Sequence, residues 1–197
     1  MRAVPDSGAM DAAAPGAGPV TVLPLLAGGC PETIAEQAGR LRRHADEFAA
    51  LHADLAAAAA QLAVACHGRE CADSLSELDG SLDALGEIVD VLRTGADLLA
   101  ESGELVARAQ QAYRMLVTEV NPAVAALLAD PVTRPAAAVL ARSAGTALRA
   151  YVDDISERIT RLGVADLAGV TSRVTAVIVE LAGASRRLAS APAWEER

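Results

Sequence analysis

Residues 71–120 read CADSLSELDGSLDALGEIVDVLRTGADLLAESGELVARAQQAYRMLVTEV. Within them Cys71, Leu75, Leu78, Leu82, Leu85, Val89, Leu92, Ala96, Leu99, Gly103, Val106, Gln110, Tyr113, Val117 and Val120 recur alternately four and three residues apart. The preceding stretch carries the same spacing, through Ile34, Ala38, Leu41, Ala45, Phe48, His52, Leu55, Ala59, Leu62 and Cys66. A four-three alternation keeps one stripe of a helix facing a partner helix, as in coiled coils. The two stretches are neighbours in sequence, so the pattern predicts a long antiparallel coiled-coil-like helical hairpin. It points to helix pairing rather than to chemistry.

Working outward, the first helix starts at Pro31, whose fixed φ suits a helix start, with Glu32 complementing the positive end of the dipole. It runs to about Cys66. Gly68, in His67-Gly68-Arg69, is the expected stop, because Gly tolerates the left-handed conformation that ends helices. The second helix starts near Glu70 and holds its register to Val120, where Asn121-Pro122 disfavours continuation. Beyond it the spacing predicts a short helix over 123–129, breakers at Asp130-Pro131 and Arg134-Pro135, and a second, shorter helical hairpin. That hairpin comprises a helix over about 136–162, closed by Gly163, and another over about 165–189. The expected organisation is therefore a low-complexity tail over 1–30, a long hairpin over 31–121, a second hairpin over 122–190 and a tail over 191–197.

Composition agrees with an all-α chain. Its 197 residues are 52% hydrophobic but only 2% aromatic, and the apolar mass is Ala, Leu and Val. Such a core suits long thin bundles. The net charge of -9 and pI near 4.8 repel phosphate, so nucleic acid is not an expected partner. All 17 basic residues are Arg, which with the heavy Ala usage suits a high-GC genome of actinobacterial type. No stretch approaches the ~18 uninterrupted apolar residues of a membrane span, so no transmembrane segment is expected. Residues 1–29 are rich in Pro, Gly and Ala and read as disordered. Within them Leu26-Ala27-Gly28-Gly29-Cys30 faintly resembles a lipobox, but Pro24 breaks a run that is already short.

Few residues offer chemistry. His52 falls on the seam, where it is either a core His with one polar neighbour or a pH-sensitive or metal-ligating group. Cys66, His67 and Cys71 give three candidate ligands where a structural zinc needs four, and both cysteines also fit their seams as small packed residues. A Cys66–Cys71 disulfide across the turn stays open, and so does the compartment. The charged face of Asp153, Asp154, Glu157 and Arg158 reads as side-chain pairing. No phosphate loop, catalytic triad or cofactor site is legible, and a non-enzymatic reading follows, with a small metal-binding or enzymatic bundle using His52, His67 and the cysteines as its alternative.

The hairpin layout with a turn ending in Gly resembles the Trp-x-Gly family, the helical-hairpin substrates of type VII secretion. The matching place here is Cys66-His67-Gly68, followed by Arg69-Glu70-Cys71-Ala72. Cys66 stands where the family has Trp. The export pattern Tyr-x-x-x-Asp/Glu is absent, since Val117 follows Tyr113 and Ile155 follows Tyr151 at that spacing. The resemblance implies a secreted or secretion-associated protein acting through helix pairing; a cytoplasmic one is the other expectation.

The second helix outreaches the first. Its overhang, with Val106, Tyr113, Val117 and Val120, is the expected partner interface unless the later helices cover it. The expected partner is a protein, through self-association or a heterodimer. Phe48, on the seam, is expected to be buried, at about 3–5 kcal/mol for Phe48→Ala.

Overall fold

Helix and turn chemistry set the boundaries of the elements. The computed structural model describes residues 5–27, 29–65 and 67–190. Its elements are α1 (Gly8–Ala13), a 3-10 turn (Pro19–Val22), α2 (Leu23–Ala27), α3 (Pro31–Ala65), α4 (Arg69–Ala129) and α5 (Arg134–Ser190). The all-α architecture expected from the sequence is the one observed, with no strand among the described residues.

Gly68 ends the first turn as expected. Its φ of +117° is one that a side chain disfavours, and its carbonyl accepts the Ala72 N–H at 3.2 Å to start α4. The α4–α5 turn is built from Asp130-Pro131-Val132-Thr133. The Asp130 carboxylate accepts the Val132 N–H at 2.9 Å, and the Thr133 hydroxyl donates to the Leu127 carbonyl at 2.7 Å. One of the orphan carbonyls at the end of α4 is thereby satisfied. The Thr133 carbonyl then accepts the Ala137 N–H and opens α5.

Three sequence expectations are corrected. Pro122 does not end α4, which continues through it for 61 residues in all. An interior Pro costs about 3 kcal/mol. Here the ring is exposed while Val117, Val120, Val124 and Leu127 on either side pack inward, so burial along that face offsets the loss. Gly163 does not close a helix: α5 is a single helix of 57 residues, and Gly163 has no positive φ. A helical Gly costs only about 1 kcal/mol relative to Ala. The two helices expected over about 136–162 and 165–189 are thus one helix. Finally, residues 8–27 are not a disordered tail but three short helical segments with buried Met10, Ala14, Pro19, Val22 and Leu26.

The chain divides into two units, Met1–Ala35 with Ala100–Gly163, and Glu36–Leu99 with Val164–Arg197. In the first, Val22 and Leu26 share a core with Leu105, Ala109, Tyr113 and Val117 of α4 and Leu148, Val152 and Ile155 of α5. A second cluster joins Met10 and Ala14 to Val124, Ala137 and Ala141. Polar contacts hold the short helices in place. The Met10 N–H, an orphan amide of α1, is capped by Asn121 Oδ1 of α4 at 3.0 Å. Gln110 Nε2 donates to the carbonyls of Leu26 and Gly29, at 3.2 and 2.9 Å. The Tyr113 hydroxyl meets Ser7 Oγ at 3.5 Å. Gly145 of α5 lies so close to the Ala17 carbonyl that a Cβ there would overlap it.

In the other unit, α3 and α4 run antiparallel. Leu41 lies against Gly95 and His52 against Gly86, while Arg42 pairs with Asp97 at 2.8 Å and Arg93 with Asp46 at 3.7 Å. Ala38, Ala45 and Ala59 are buried on α3, and Leu82, Val89 and Ala96 on α4. Both sets follow the seven-residue repeat, as a coiled-coil seam requires. The rung of larger side chains on α3 behaves differently. Phe48 is 39% exposed, so its expected burial is corrected. Phe48→Ala should accordingly cost about 1 kcal/mol in urea denaturation, in line with an incompletely buried side chain; a loss of several kcal/mol would contradict the exposed placement.

Candidate functional site

Small alanines at Ala38, Ala45 and Ala59 seat α3 on the seam, and this turns the neighbouring large side chains outward. Phe48, Leu51, Leu55 and Leu62 are 39%, 47%, 40% and 48% exposed. Their spacing of three, four and seven residues puts them along one stripe. From Leu55 to Ala65 the helix carries no charge, and Val64 near its end is 81% exposed. A contiguous exposed apolar stripe marks a binding surface more often than scattered exposed residues do. This stripe is the candidate site. Sequence reading missed it because a four-three ladder contains two rungs. Only the contrast of Ala on one and Phe or Leu on the other hints at which rung a close-packed seam will bury.

The same helix bears on the membrane expectation. Pro31–Ala65 contains an 18-residue window of mean hydropathy 1.5 that is 6% buried. By length and composition alone α3 can cross a membrane, although it has no uninterrupted apolar run. It also carries Asp46, Glu47, His52, Asp54 and Gln61. A single Asp at the centre of a membrane helix costs about 2.5–3.5 kcal/mol, and Asp46 is engaged with Arg93 of α4.

The overhang of α4 proves to be covered. Tyr113 and Val117 are 2% and 1% exposed, inside the core described above. Val106 is half-buried beside Gly29, and Val120 is half-buried against the cluster around Met10. The expected interface of Val106, Tyr113, Val117 and Val120 is therefore corrected. What covers it is the first half of α5, which matches the first helix of the expected second hairpin, together with residues 8–27, which the sequence reading leaves out.

The remaining candidates are dispersed. His52 is half-buried at the seam, His67 is exposed beside the turn, and His44 contacts Glu47 at 3.2 Å on the surface. Among the described residues no three His, Cys, Asp or Glu side chains converge as a metal site would require. Cys71 is disulfide-bonded, whereas Cys30 is a free, exposed thiol 3.4 Å from a Glu32 carboxylate oxygen. Cys66, the turn residue compared above with the family Trp, lies outside the described residues. On α5, Arg158 pairs with Asp154 and Arg161 with Glu157, each at 3.0 Å and well exposed, so this charged face is solvated pairing worth little.

One open cleft of about 540 Å³ lies between the first turn of α3 and α4, lined by Pro31, Glu32, Ala107, Gln110, Gln111, Arg114 and Met115. It holds one guanidinium, one carboxylate and two amides. The nitrogen of the Gln110 amide is committed to Leu26 and Gly29, and Arg114 Nε donates to the Gln110 carbonyl at 3.2 Å. The lining contains no nucleophile beside a base. No protein-family model, curated protein or solved structure matches the chain.

Proposed function

We propose that this protein is a non-enzymatic interaction protein that works by helix pairing, with α3 as the pairing helix. The observation that carries the reading is the exposed stripe of Phe48, Leu51, Leu55 and Leu62 beside a seam already filled by alanines. Helix-in-groove and helix-on-helix recognition use anchors at this spacing. The partner is a second copy or a related helical protein, and no cofactor is part of the reading. Size-exclusion chromatography with light scattering tests it. The expected result is a dimer that Leu55→Glu with Leu62→Glu converts to monomer without loss of helix content. A strictly monomeric wild-type chain that also captures no helical partner from its host would overturn it.

A finer reading is that the pairing serves type VII secretion, with this chain as a Trp-x-Gly-like substrate or a partner of one. Support comes from the antiparallel hairpin of α3 and α4 turning at a left-handed Gly68. The test is a tagged chain in a secreting actinobacterial host. Appearance in the culture filtrate that depends on the secretion ATPase is expected for a substrate, and co-purification with an exported hairpin for a partner. Absence of both would remove this reading and leave helix pairing intact.

A further inference from the structure

We infer that residues 7–27 form a displaceable strap that closes an apolar groove between α4 and α5 and opens as a unit while the two helices stay folded. Within the unit that contains them, the contacts described for these residues, apart from those within residues 6–27, go to α4 and α5. Met10 is capped by Asn121, Ser7 meets Tyr113, and the Leu26 carbonyl takes a bond from Gln110. Ala17 is pressed on Gly145. Met10, Ala14, Val22 and Leu26 fill the apolar trough that Tyr113, Val117, Val124, Ala141 and Leu148 line.

The strap cannot hold its own shape. Its helical pieces are six, four and five residues long, far below the length at which an isolated helix persists in water. Its structure is lent by the groove, which is how a bound peptide behaves. The α4–α5 hairpin is the reverse case. Its helices are long, its turn satisfies its own carbonyls, and none of its backbone helix bonds involves the strap. Releasing the strap therefore breaks the side-chain and capping contacts named above and leaves the hairpin's hydrogen-bond ladder whole. In sequence Gly28, Gly29 and Cys30 stand between the strap and α3. When open, the strap bares the apolar trough between these two helices to water. Strap opening does not depend on whether α3 self-associates, so its measurement stands apart from the helix-pairing reading.

Native-state hydrogen exchange on the full chain is that test. Amides of residues 10–26 are expected to open together and to exchange about tenfold or more faster than those of 109–124 and 141–155. Gly145→Ala, whose Cβ collides with the Ala17 carbonyl, should remove protection from the strap while sparing α4 and α5. Asn121→Ala, which loses only a cap, should do so more mildly. A second readout follows the groove directly. Ala141→Cys on a Cys30→Ser background places a thiol in the trough, one helical turn before Gly145. It should react with a maleimide at the rate of strap opening. Strap amides that exchange only together with α4 and α5, or a trough thiol labelled only on global unfolding, would overturn the inference.

Discussion

Leu148→Ala should lower unfolding stability by about 2–5 kcal/mol, the range for a large-to-small change in a core that cannot collapse. Leu148 is among the largest fully enclosed side chains. It belongs to the cluster that joins the strap residues Val22 and Leu26 to Tyr113 and Val117 of α4. The side chain is held from two directions by separate elements, so the cavity left by truncation has no single neighbour free to fill it. The loss should appear in urea denaturation as a lower midpoint with an unchanged slope. A change below about 1 kcal/mol, the size of an ordinary surface effect, would mean that the three elements do not share this core.

The second large effect belongs to the other unit. Ala45 is fully buried on the α3 seam, and Ala45→Asp would place a carboxylate in a position closed to water, while the nearby Arg42 and Arg93 are already paired with Asp97 and Asp46. The expected cost is about 3–5 kcal/mol, the range for an uncompensated interior charge. Circular dichroism during thermal unfolding should show an early transition carrying part of the helix signal, because the seam lost is that of 36–99. Phe48→Ala, only three residues away, should cost about 1 kcal/mol. That contrast, a small residue costly to change beside a large one that is not, is the direct check of which rung faces inward. Equal costs would show the rungs to be misassigned.

The pair also shows what could be read in advance. The four-three spacing located α3 and α4, their antiparallel pairing and the turn at Gly68, because periodicity over many turns is set by helix geometry alone. It did not choose between the two rungs. That choice depends on how closely the helix axes approach, which in turn depends on alanines on both partners. Breakers were given too much weight. Pro122 and Gly163 each carry a local cost that flanking burial can exceed, and no local pattern contains that burial. The strap was illegible for a different reason. Segments of four to six residues span too few turns to show a period, and their helicity is imposed by Asn121 and Gln110, about 80 or more residues away. The covered overhang follows in part from the same omission: with residues 8–27 read as disordered, only the later helices remain to cover Tyr113 and Val117, and an open interface stays possible.

Gly145 has a consequence for how this chain can change by mutation. Every substitution at that position adds a Cβ, so every one meets the Ala17 carbonyl, whatever its chemistry. Ordinary sites offer a graded series in which conservative replacements are nearly silent. Here the series collapses to two classes, glycine and everything else. A lineage drifting at this codon would therefore pass from strap closed to strap displaced in a single step, with no intermediate sequence between them. Once glycine was lost, selection to keep Met10, Val22 and Leu26 in register with the groove would relax together.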